Sequence, residues 1–338
     1  MPRERMTYQR LYLLGHPVAH SKSPVMHNAV YERLGLAWRY DLADCATDKA
    51  AEAFLAESDF LALNITTPYK RNALRAASAS AASAKLAEGA NLLVRKSGVL
   101  AADGRKAKTA EPAATGMPSD VLIAYNTDGQ GCVAYLEREG VRFRDASVVV
   151  CGTGPTALAI VHAASVAGAR EVVLVGRSKE RSHKVLEKYV HTFGVLATST
   201  IDLPAVVEGH RSFREAYEKT KFKFGSYATS TQAIHAADVI VDATPLGMNP
   251  GDSAPFDPAL FRAGQIALDT VYGHGETAFC LAARAAGCET HDGAGMLVAQ
   301  AAITVQTVCD IAEVSLDAAF PTFDSLFAFM AAAAGFDC

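Results

Sequence analysis

Short apolar runs alternate along the chain with longer stretches in which apolar residues recur at helical spacing. Apolar runs bounded by polar residues or glycine are typical of buried strands. They predict strands at residues 11–14, 60–65, 92–95, 121–125, 147–151, 171–175, 239–243 and 266–269. Helical spacing predicts helices at residues 24–34, 130–139 and 157–167 and in the alanine-rich tail from Leu297 onward. This alternation predicts the α/β fold class, with mostly parallel sheets covered by helices.

Local signals refine this picture at three places. Ser23 is predicted to be the N-cap of the helix at 24–34, with Pro24 at its first position, because these residues are favoured there. Residues 96–119 are rich in Ala, Gly, Lys and Pro, which predicts a hairpin enlarged by a flexible loop. Residues 191–230 are polar and irregular in pattern, with scattered aromatic residues, and we interpret them as an insertion of uncertain structure.

Length and charge limit the classes of partner. The chain has 338 residues, half of them hydrophobic, which suits about two domains. Its formal net charge is −4 and its basic residues are dispersed, so neither nucleic acid nor a membrane surface is expected as a partner. The apolar stretches stop short of the ~18 residues that span a bilayer, and the first residues lack the apolar region of a signal peptide.

Cysteine and histidine spacing adds two expectations. The seven cysteines are scattered and show no C-x-x-C pair, which predicts reduced thiols in a cytoplasmic protein. The ten histidines show no ligand spacing, so no metal site is expected.

A glycine-rich segment directly follows the predicted strand at 147–151 and precedes a predicted helix. It reads Gly152, Thr153, Gly154, Pro155, Thr156, Ala157, a G-x-G-x-x-A pattern. Small residues let the backbone turn sharply and approach a pyrophosphate, and the helix N-terminus offers free N–H groups and a partial positive charge. The strand, loop, helix and second strand together favour a dinucleotide site over a simple tight turn.

The end of the next strand indicates which dinucleotide. NAD enzymes usually place Asp or Glu there to accept hydrogen bonds from the ribose. This chain has Gly176 instead, followed by Arg177, Ser178 and Arg181. Two guanidinium groups suit a 2′-phosphate, so NADP is favoured, with NAD as the alternative. The competing interpretation is that both arginines are solvated residues at a helix start.

Three segments in the first half carry candidate chemistry. Ser21 and Ser23 place two hydroxyls at a helix N-terminus, which suits a carboxylate, although Ser23 could equally be a cap and Ser21 a loop residue. The segment 64–70 follows a strand, where its side chains would reach a cleft at the carboxyl edge of the sheet. The segment 126–129 has the pattern of an Asx turn. Lys70 and Asp128 together would nevertheless form a proton-transfer pair.

In combination these residues resemble the shikimate dehydrogenase family. The matching motifs occur in order along nearly the whole chain: residues 15–17 (GHP), 21–24 (SKSP), 64–70 (NITTPYK), 89–91 (GAN), 126–129 (NTDG), 152–157, 242–248 (DATPLGM), 269–272 (DTVY) and 292–301 (DGAGMLVAQA).

The resemblance implies a role for each matched residue. Lys70 and Asp128 match the family's catalytic Lys–Asp pair. The positions that contact substrate are Ser21, Ser23, Asn64, Thr66, Asn91, Tyr272 and Gln300. The cofactor positions are Gly152, Thr153, Gly154, Pro155, Thr156, Ala157, Arg177, Ser178, Arg181, Thr244, Met248 and Gly295. Gly295 marks the return of the chain to the first domain.

The resemblance also implies an architecture and a reaction. An N-terminal α/β substrate domain (residues 1–128 plus 295–338) would be joined to a Rossmann-like NADP domain (129–294), with C-terminal helices returning to the first. The reaction would be the reversible NADP-dependent reduction of 3-dehydroshikimate to shikimate in aromatic amino acid biosynthesis. Lys70, oriented by Asp128, would donate the proton to the developing alkoxide, and domain closure would bring substrate and nicotinamide together. A monomer or a homodimer is expected.

Several positions depart from the family pattern. The usual Gly-Ala-Gly-Gly-Ala loop carries Thr153 and Pro155, the usual Asn before the phosphate-reading arginine is Gly176, and the usual Asn-Pro after Tyr272 is replaced. Two alternatives therefore stay open. One is a quinate/shikimate dehydrogenase with relaxed substrate or NAD use. The other, of a different class, is a non-catalytic binding protein that senses a dinucleotide or substrate.

Overall fold

A computed structural model describes residues 8–96, 121–199 and 209–338. The chain forms two units, one of Met1–Thr127 with Ala301–Asp337 and the other of Asp128–Gln300 with Cys338. The division expected from the sequence ends the first segment one residue later (128 against 127) and begins the return six residues earlier (295 against 301). Each unit contains its own six-stranded sheet.

The first unit has a mixed sheet. Its strands are β1 (Gln9–Gly15), β2 (Trp38–Asp44), β3 (Ala62–Ile65), β4 (Ala79–Ser80), β5 (Leu92–Lys96) and β6 (Val121–Tyr125). The order across the sheet is β2-β1-β3-β5-β6-β4. β1 is parallel to β2 and β3, whereas β5 is antiparallel to both β3 and β6. The carboxyl ends of β1, β2 and β3 therefore share one edge of the sheet with the start of β5.

Helices and apolar side chains complete this unit. Its helices are α1 (Ser23–Arg33), α2 (Asp48–Glu57), α3 (Lys70–Ala76), α4 (Ala82–Ala87) and the C-terminal α12 (Phe323–Ala334), which packs against α1. Leu14, Phe60, Leu63, Ile65 and Leu93 are buried in one core cluster. All four residues of β3 are buried, which explains why its sequence is a continuous apolar run apart from one asparagine.

The second unit has a sheet in which every strand pair is parallel. Its strands are β7 (Ser147–Cys151), β8 (Glu171–Gly176), β9 (Lys221–Ser226), β10 (Val239–Asp242), β11 (Ile266–Asp269) and β12 (Glu289–His291). The order is β12-β11-β10-β7-β8-β9. The first strand, β7, thus lies between β8 and β10, so the strand order reverses at this point. Parallel sheets of this order bind ligands in the crevice at the carboxyl ends of the two central strands.

Seven helices accompany the second sheet within the described residues. They are α5 (Asp128–Arg138), α6 (Pro155–Val166), α7 (Lys179–Ala197), α8 (Phe213–Lys219), α9 (Thr231–Ala236), α10 (Ala278–Ala285) and α11 (Gly293–Ile311), the last of which crosses the boundary between the units. α5 packs closely against α6. A Cβ added to Gly129 would lie only 2.0 Å from the Ala159 carbonyl oxygen, so this approach requires glycine. These α/β elements confirm the predicted fold class.

Residues 191–230, interpreted from the sequence as an insertion of uncertain structure, contain regular elements that the sequence did not predict. α7 continues to Ala197, and α8 and β9 follow, with β9 parallel to β8 at the sheet edge. The scattered aromatic residues form a packed cluster in which Phe193 contacts Phe213 and Phe222, at ring-centroid distances of 5.8 and 6.1 Å. Aromatic packing therefore orders this segment despite its polar composition. Residues 200–208 lie outside the described part of the chain.

Two further local predictions have different outcomes. β5 and β6 pair antiparallel from Leu92–Tyr125 to Lys96–Val121, as the predicted hairpin requires, whereas its connecting residues 97–120 lie outside the described ranges. Ser23 is not the N-cap of α1. The cap is Lys22, and Ser23 is the first helical residue. The Ser23 N–H donates to the Ser21 hydroxyl, 3.2 Å away.

One helix is longer and more apolar than expected. α11 spans 19 residues with a mean hydropathy of 1.4 over its most apolar window, so its length and composition would suffice to cross a bilayer. This corrects the expectation that all apolar stretches are too short. Just over half of that window, 56%, is buried within the protein, as in the core helix of a folded domain.

The turn after β7 depends on a glycine. Gly152 has a φ of +113°, and a Cβ added there would lie 2.9 Å from the Ala243 carbonyl oxygen. Gly154, two residues later, has a φ of −93°, and a Cβ there would meet no atom within 4 Å. The first glycine is thus required by both conformation and space, whereas the second leaves an open surface.

We therefore predict that Gly152→Ala lowers the free energy of unfolding by about 1–3 kcal/mol, because it forces an L-residue into a strained conformation. The matched variant Gly154→Ala should stay within about 0.5 kcal/mol of the wild type. Urea denaturation without ligand measures both. Equal losses in the two variants would contradict this account of the turn.

Candidate active site

Asn64 is the buried polar residue of β3, and all of its side-chain polar atoms have partners within the first unit. Its carbonyl oxygen accepts a hydrogen bond from the Tyr40 hydroxyl at 2.9 Å. Its side-chain nitrogen donates to the Asn91 backbone carbonyl at 3.2 Å and to the Thr304 hydroxyl at 3.3 Å. A buried amide with this many partners has a fixed orientation.

Tyr40 is itself held by a buried aromatic group. Its ring stacks on His27, with a centroid distance of 4.3 Å and an interplanar angle of 9°. The His27 Nδ1 atom lies 3.1 Å from the Tyr31 hydroxyl. Burial lowers the pKa of His27 to about 3, so this imidazole is neutral at physiological pH. Sequence reasoning missed Tyr40, His27 and Thr304, because none of them stands in a motif.

Asn91 lies at the start of β5, at the same edge of the sheet as the end of β3. Its side-chain amide nitrogen donates to the Thr127 hydroxyl at 2.9 Å, and its side-chain oxygen accepts from the Thr127 backbone N–H at 2.8 Å. The neighbouring Asn126 donates to the Gly89 backbone carbonyl at 2.9 Å. These contacts fix the segment that follows β6 beside the segment that precedes β5.

Ser21 and Ser23 lie next to each other at the N-terminus of α1. The Ser21 hydroxyl donates to the Ser23 hydroxyl at 3.2 Å and accepts from the Ser23 N–H. Ser23 is buried and Ser21 is half-buried. Two adjacent hydroxyls at the positive end of a helix can together accept and donate to an oxyanion.

Thr66 and Lys70 follow the end of β3. The Thr66 N–H donates to the Leu14 carbonyl at 2.9 Å. Its methyl group occupies the space beside Gly15, where an added Cβ would lie only 2.3 Å away. Lys70 is the half-buried first residue of α3, and its carbonyl accepts from the Ala90 N–H at 2.8 Å. The six residues of the first unit that the motifs identified therefore lie after β1, within or after β3, or just before β5.

In the second unit the glycine loop leads directly into α6. Gly154 is the N-cap and Pro155 the first helical residue, where its missing N–H costs no intrahelical bond. The space over Gly154 is open, so a phosphate could approach the backbone. The Thr156 hydroxyl donates to Asp128 at 3.0 Å, which ties the buried carboxylate at the start of α5 to the loop.

Arg177, Ser178 and Arg181 lie at the end of β8 and the start of α7. Ser178 caps the helix by accepting from the Arg181 N–H at 3.2 Å, and it donates to the Glu180 carboxylate at 2.8 Å. Arg181 Nε donates to the Thr153 hydroxyl at 3.1 Å. The two arginine side chains are exposed. The structure thus brings the glycine loop and one of the two predicted phosphate-binding arginines together.

The remaining matched positions of this unit lie after β10, after β11 and in α11. The Thr244 hydroxyl accepts from the Leu246 N–H at 3.3 Å, and Met248 is 41% exposed. Tyr272 is half-buried. Gln300 donates to the Leu297 carbonyl at 3.0 Å. Gly295 lies inside α11 against the Tyr135 ring, which a Cβ would overlap at 2.1 Å, so its visible role is packing.

Two buried carboxylates lie at the carboxyl ends of β10 and β11, in motifs for which the sequence suggested no role for an acid. Asp242 and Asp269 are direct neighbours in the strand register. Asp242 accepts from the Thr244 N–H at 2.9 Å, while its other carboxylate oxygen is buried without a hydrogen-bond partner among the described residues. Asp269 accepts from the Val271 N–H at 3.0 Å and from the Thr277 hydroxyl at 2.6 Å.

These surroundings change the protonation of both groups. Burial, reinforced by the neighbouring charge of Asp269, raises the pKa of Asp242 to about 7. Burial raises the pKa of Asp269 to about 6, despite its two hydrogen bonds. The pair therefore takes up protons near neutral pH, directly beneath the segments that carry Thr244 and Tyr272. Within the described ranges, no cluster of three or more His, Cys, Asp or Glu side chains could hold a metal ion.

We predict a pH dependence of stability from Asp242. Its pKa is higher in the folded protein (about 7) than the ordinary value of 3.8, so the folded state holds the proton more tightly. Its contribution to the free energy of unfolding is therefore complete below pH ~4 and is lost as the pH rises toward ~7. Asp242→Asn removes this loss, so the variant should gain thermal stability relative to the wild type as the pH increases across that window. Melting curves that stay parallel at every pH would contradict the assignment.

Comparison with known proteins identifies the family. The family described as shikimate dehydrogenase substrate binding domain matches residues 13–93. The shikimate dehydrogenase (NADP(+)) of Methylocella silvestris is 31% identical over 303 residues, which cover 87% of this chain and 88% of that protein.

Solved structures have the same fold. Shikimate 5-dehydrogenase of Thermus thermophilus, in complex with NADP(H) and shikimate, matches with a TM-score of 0.68 and 23% identity over 96% of this chain and 99% of that one. Quinate dehydrogenase of Corynebacterium glutamicum, in complex with NAD, also has a TM-score of 0.68, with 23% identity and the same coverages of 96% and 99%. Sequence identity over most of the length, together with this fold, shows that the chain belongs to the shikimate dehydrogenase family.

Proposed function

We propose that this protein is an NADP-dependent shikimate dehydrogenase, which interconverts 3-dehydroshikimate and shikimate. The observation that carries the proposal is the group of polar residues at the carboxyl edge of the first sheet, where Ser21, Ser23, Asn64, Asn91 and Lys70 lie on neighbouring segments. A small polyhydroxylated acid needs such a set of hydroxyl, amide and ammonium groups. Family membership supports the same substrate class.

The residues of the first unit divide the recognition of such a substrate. The paired hydroxyls of Ser21 and Ser23 suit its carboxylate, because they lie at a helix N-terminus. Asn64 and Asn91 suit its ring hydroxyls, since their amides are held in fixed orientations by Tyr40 and Thr127. Thr66, Tyr272 and Gln300 are assigned to the same task by their motifs.

The glycine loop and its surroundings fit NADP. The open surface over Gly154 admits a pyrophosphate, and the start of α6 supplies N–H groups to it. Arg177, Ser178 and Arg181 would bind the 2′-phosphate, and Thr244 and Met248 would lie on the nicotinamide side. When bound, NADPH supplies the hydride for reduction of the ring carbonyl.

Proton transfer is assigned to Lys70 and Asp128. The Lys70 ammonium donates a proton to the oxygen that becomes negative as the carbonyl is reduced, and in the reverse direction it accepts that proton. Its positive charge also stabilises the developing alkoxide. Asp128, held by Thr156, is the carboxylate that orients the ammonium. The overall change is 3-dehydroshikimate, NADPH and one proton to shikimate and NADP⁺.

We propose that this function serves aromatic amino acid biosynthesis and that the protein acts in the cytoplasm. Its seven cysteines are all free thiols, which suits a reducing compartment. Its partners would be small molecules, with the protein itself a monomer or a homodimer.

The direct test of the mechanism is Lys70→Ala with shikimate and NADP. Loss of the proton donor should lower kcat about 10²- to 10⁴-fold and change the KM of shikimate much less. Lys49→Ala, which removes an exposed lysine from α2, is the control and should keep the wild-type rate.

Two outcomes would contradict the proposal in different ways. A wild-type protein that binds NADP and shikimate in calorimetry but never turns over would be a sensing protein rather than an enzyme. Full activity in Lys70→Ala would leave the enzyme assignment in place and remove Lys70 from the mechanism.

A further inference from the structure

Two of the departures from the family pattern contact each other. Thr153 replaces the usual alanine of the glycine loop, and Gly176 replaces the usual asparagine at the end of β8. A Cβ added to Gly176 would lie 3.1 Å from the Thr153 methyl carbon and 3.0 Å from the Ser182 hydroxyl. Both distances are shorter than the ~3.5–4.0 Å of ordinary carbon contacts. The threonine methyl and the serine hydroxyl therefore crowd the space where a side chain at position 176 would begin, and each would have to shift slightly to admit it.

The hydroxyl of Thr153 accepts a hydrogen bond from Arg181. Arg181 Nε donates to Thr153 Oγ1 at 3.1 Å, and the Arg181 N–H is held by the Ser178 cap. An exposed arginine otherwise samples many rotamers, which a ligand must restrict at a cost in affinity. With Nε engaged, the terminal guanidinium nitrogens remain available, and these form the planar fork that suits a phosphate.

The charges around this point favour an anion overall. Arg177 and Lys179 are exposed beside Arg181 at the start of α7. The one nearby acid on this helix turn, Glu180, is bound by the Ser178 hydroxyl at 2.8 Å. A hydrogen bond from its own backbone N–H, together with that from Ser178, keeps the pKa of Glu180 below its usual range. A 2′-phosphate would therefore meet two guanidinium groups and an ammonium against one fixed carboxylate.

We infer that Thr153 is a positioning residue for Arg181, and that Thr153 and Gly176 together select a dinucleotide that carries a 2′-phosphate. The methyl group, together with the Ser182 hydroxyl, crowds any side chain at position 176, where NAD enzymes place the carboxylate that binds the ribose hydroxyls. The hydroxyl pre-orders the arginine that binds the phosphate. The inference rests on the proposed use of a dinucleotide and adds the device that discriminates between the two cofactors.

The first test is Thr153→Val, which removes the hydroxyl and keeps the methyl group. Calorimetric titration with NADP, NAD and adenosine 2′,5′-bisphosphate measures binding without turnover. The Kd values of NADP and of the bisphosphate should rise about 3- to 10-fold, as expected for one lost hydrogen bond, and that of NAD should change less. Thr153→Ser keeps the hydroxyl and should restore most of the phosphate-dependent affinity.

The second test addresses the contact with Gly176. Gly176→Asp alone should weaken both NADP and NAD, because the Cβ of the new side chain would lie 3.0 Å from the Ser182 hydroxyl and 3.1 Å from the Thr153 methyl carbon and would push these groups aside. Adding Thr153→Gly opens the space, so the double variant should bind NAD more tightly than the single variant does. Thermal melting of each variant confirms that it is folded before binding is compared.

The outcomes separate this inference from the proposed function. If the wild type binds neither NADP nor the bisphosphate, the proposed cofactor use fails. If the wild type prefers NADP but Thr153→Val keeps the same ratio of NADP to NAD affinity, the cofactor assignment stands and the role of Thr153 is overturned. Equal NAD affinity in the single and double variants would overturn the role of the Thr153–Gly176 contact.

Discussion

The close approach of the chain after β7 to the chain after β10 is the constraint on which the second unit depends. The backbone at Gly152 lies so near the Ala243 carbonyl that a single carbon atom would not fit between them. This approach occurs where the strand order of the parallel sheet reverses, which is where such sheets bind their ligands. It sets the direction of α6, whose second residue, Thr156, holds Asp128. It also places Thr153 beside Arg181.

In the first unit the main constraint is a different one: polar groups at one edge of the sheet must be held in fixed orientations. Asn64 and Asn91 are buried amides, and each is bound by residues from other segments of the chain. Leaving any of these groups without a partner would cost about 1–3 kcal/mol, so the network specifies one arrangement of the edge. The neutral His27 ring behind Tyr40 extends this network without adding a charge. Pre-organised amides of this kind suit a substrate whose hydroxyl groups must be distinguished by position.

Sequence reasoning succeeded where one local signal decides the structure. The predicted strands at 121–125, 147–151 and 266–269 coincide with β6, β7 and β11, because each of these strands is a continuous or nearly continuous apolar run. It failed at β9, where lysines alternate with Phe222 and Phe224 on an edge strand that keeps polar residues. The site motifs identified residue types, but Tyr40 and Thr304, the partners of Asn64, come from distant segments. Only tertiary contacts reveal these partners, since no local pattern encodes them.

The central claim is that this protein oxidises shikimate with NADP. The most direct measurement is the wild-type kcat/KM for the four combinations of shikimate or quinate with NADP or NAD. We expect the highest value for shikimate with NADP, because the paired hydroxyls of Ser21 and Ser23 are proposed to bind the carboxylate of shikimate and two exposed arginines follow β8, where a 2′-phosphate is proposed to bind. Turnover with none of the four combinations, or a higher value for quinate or for NAD, would contradict it.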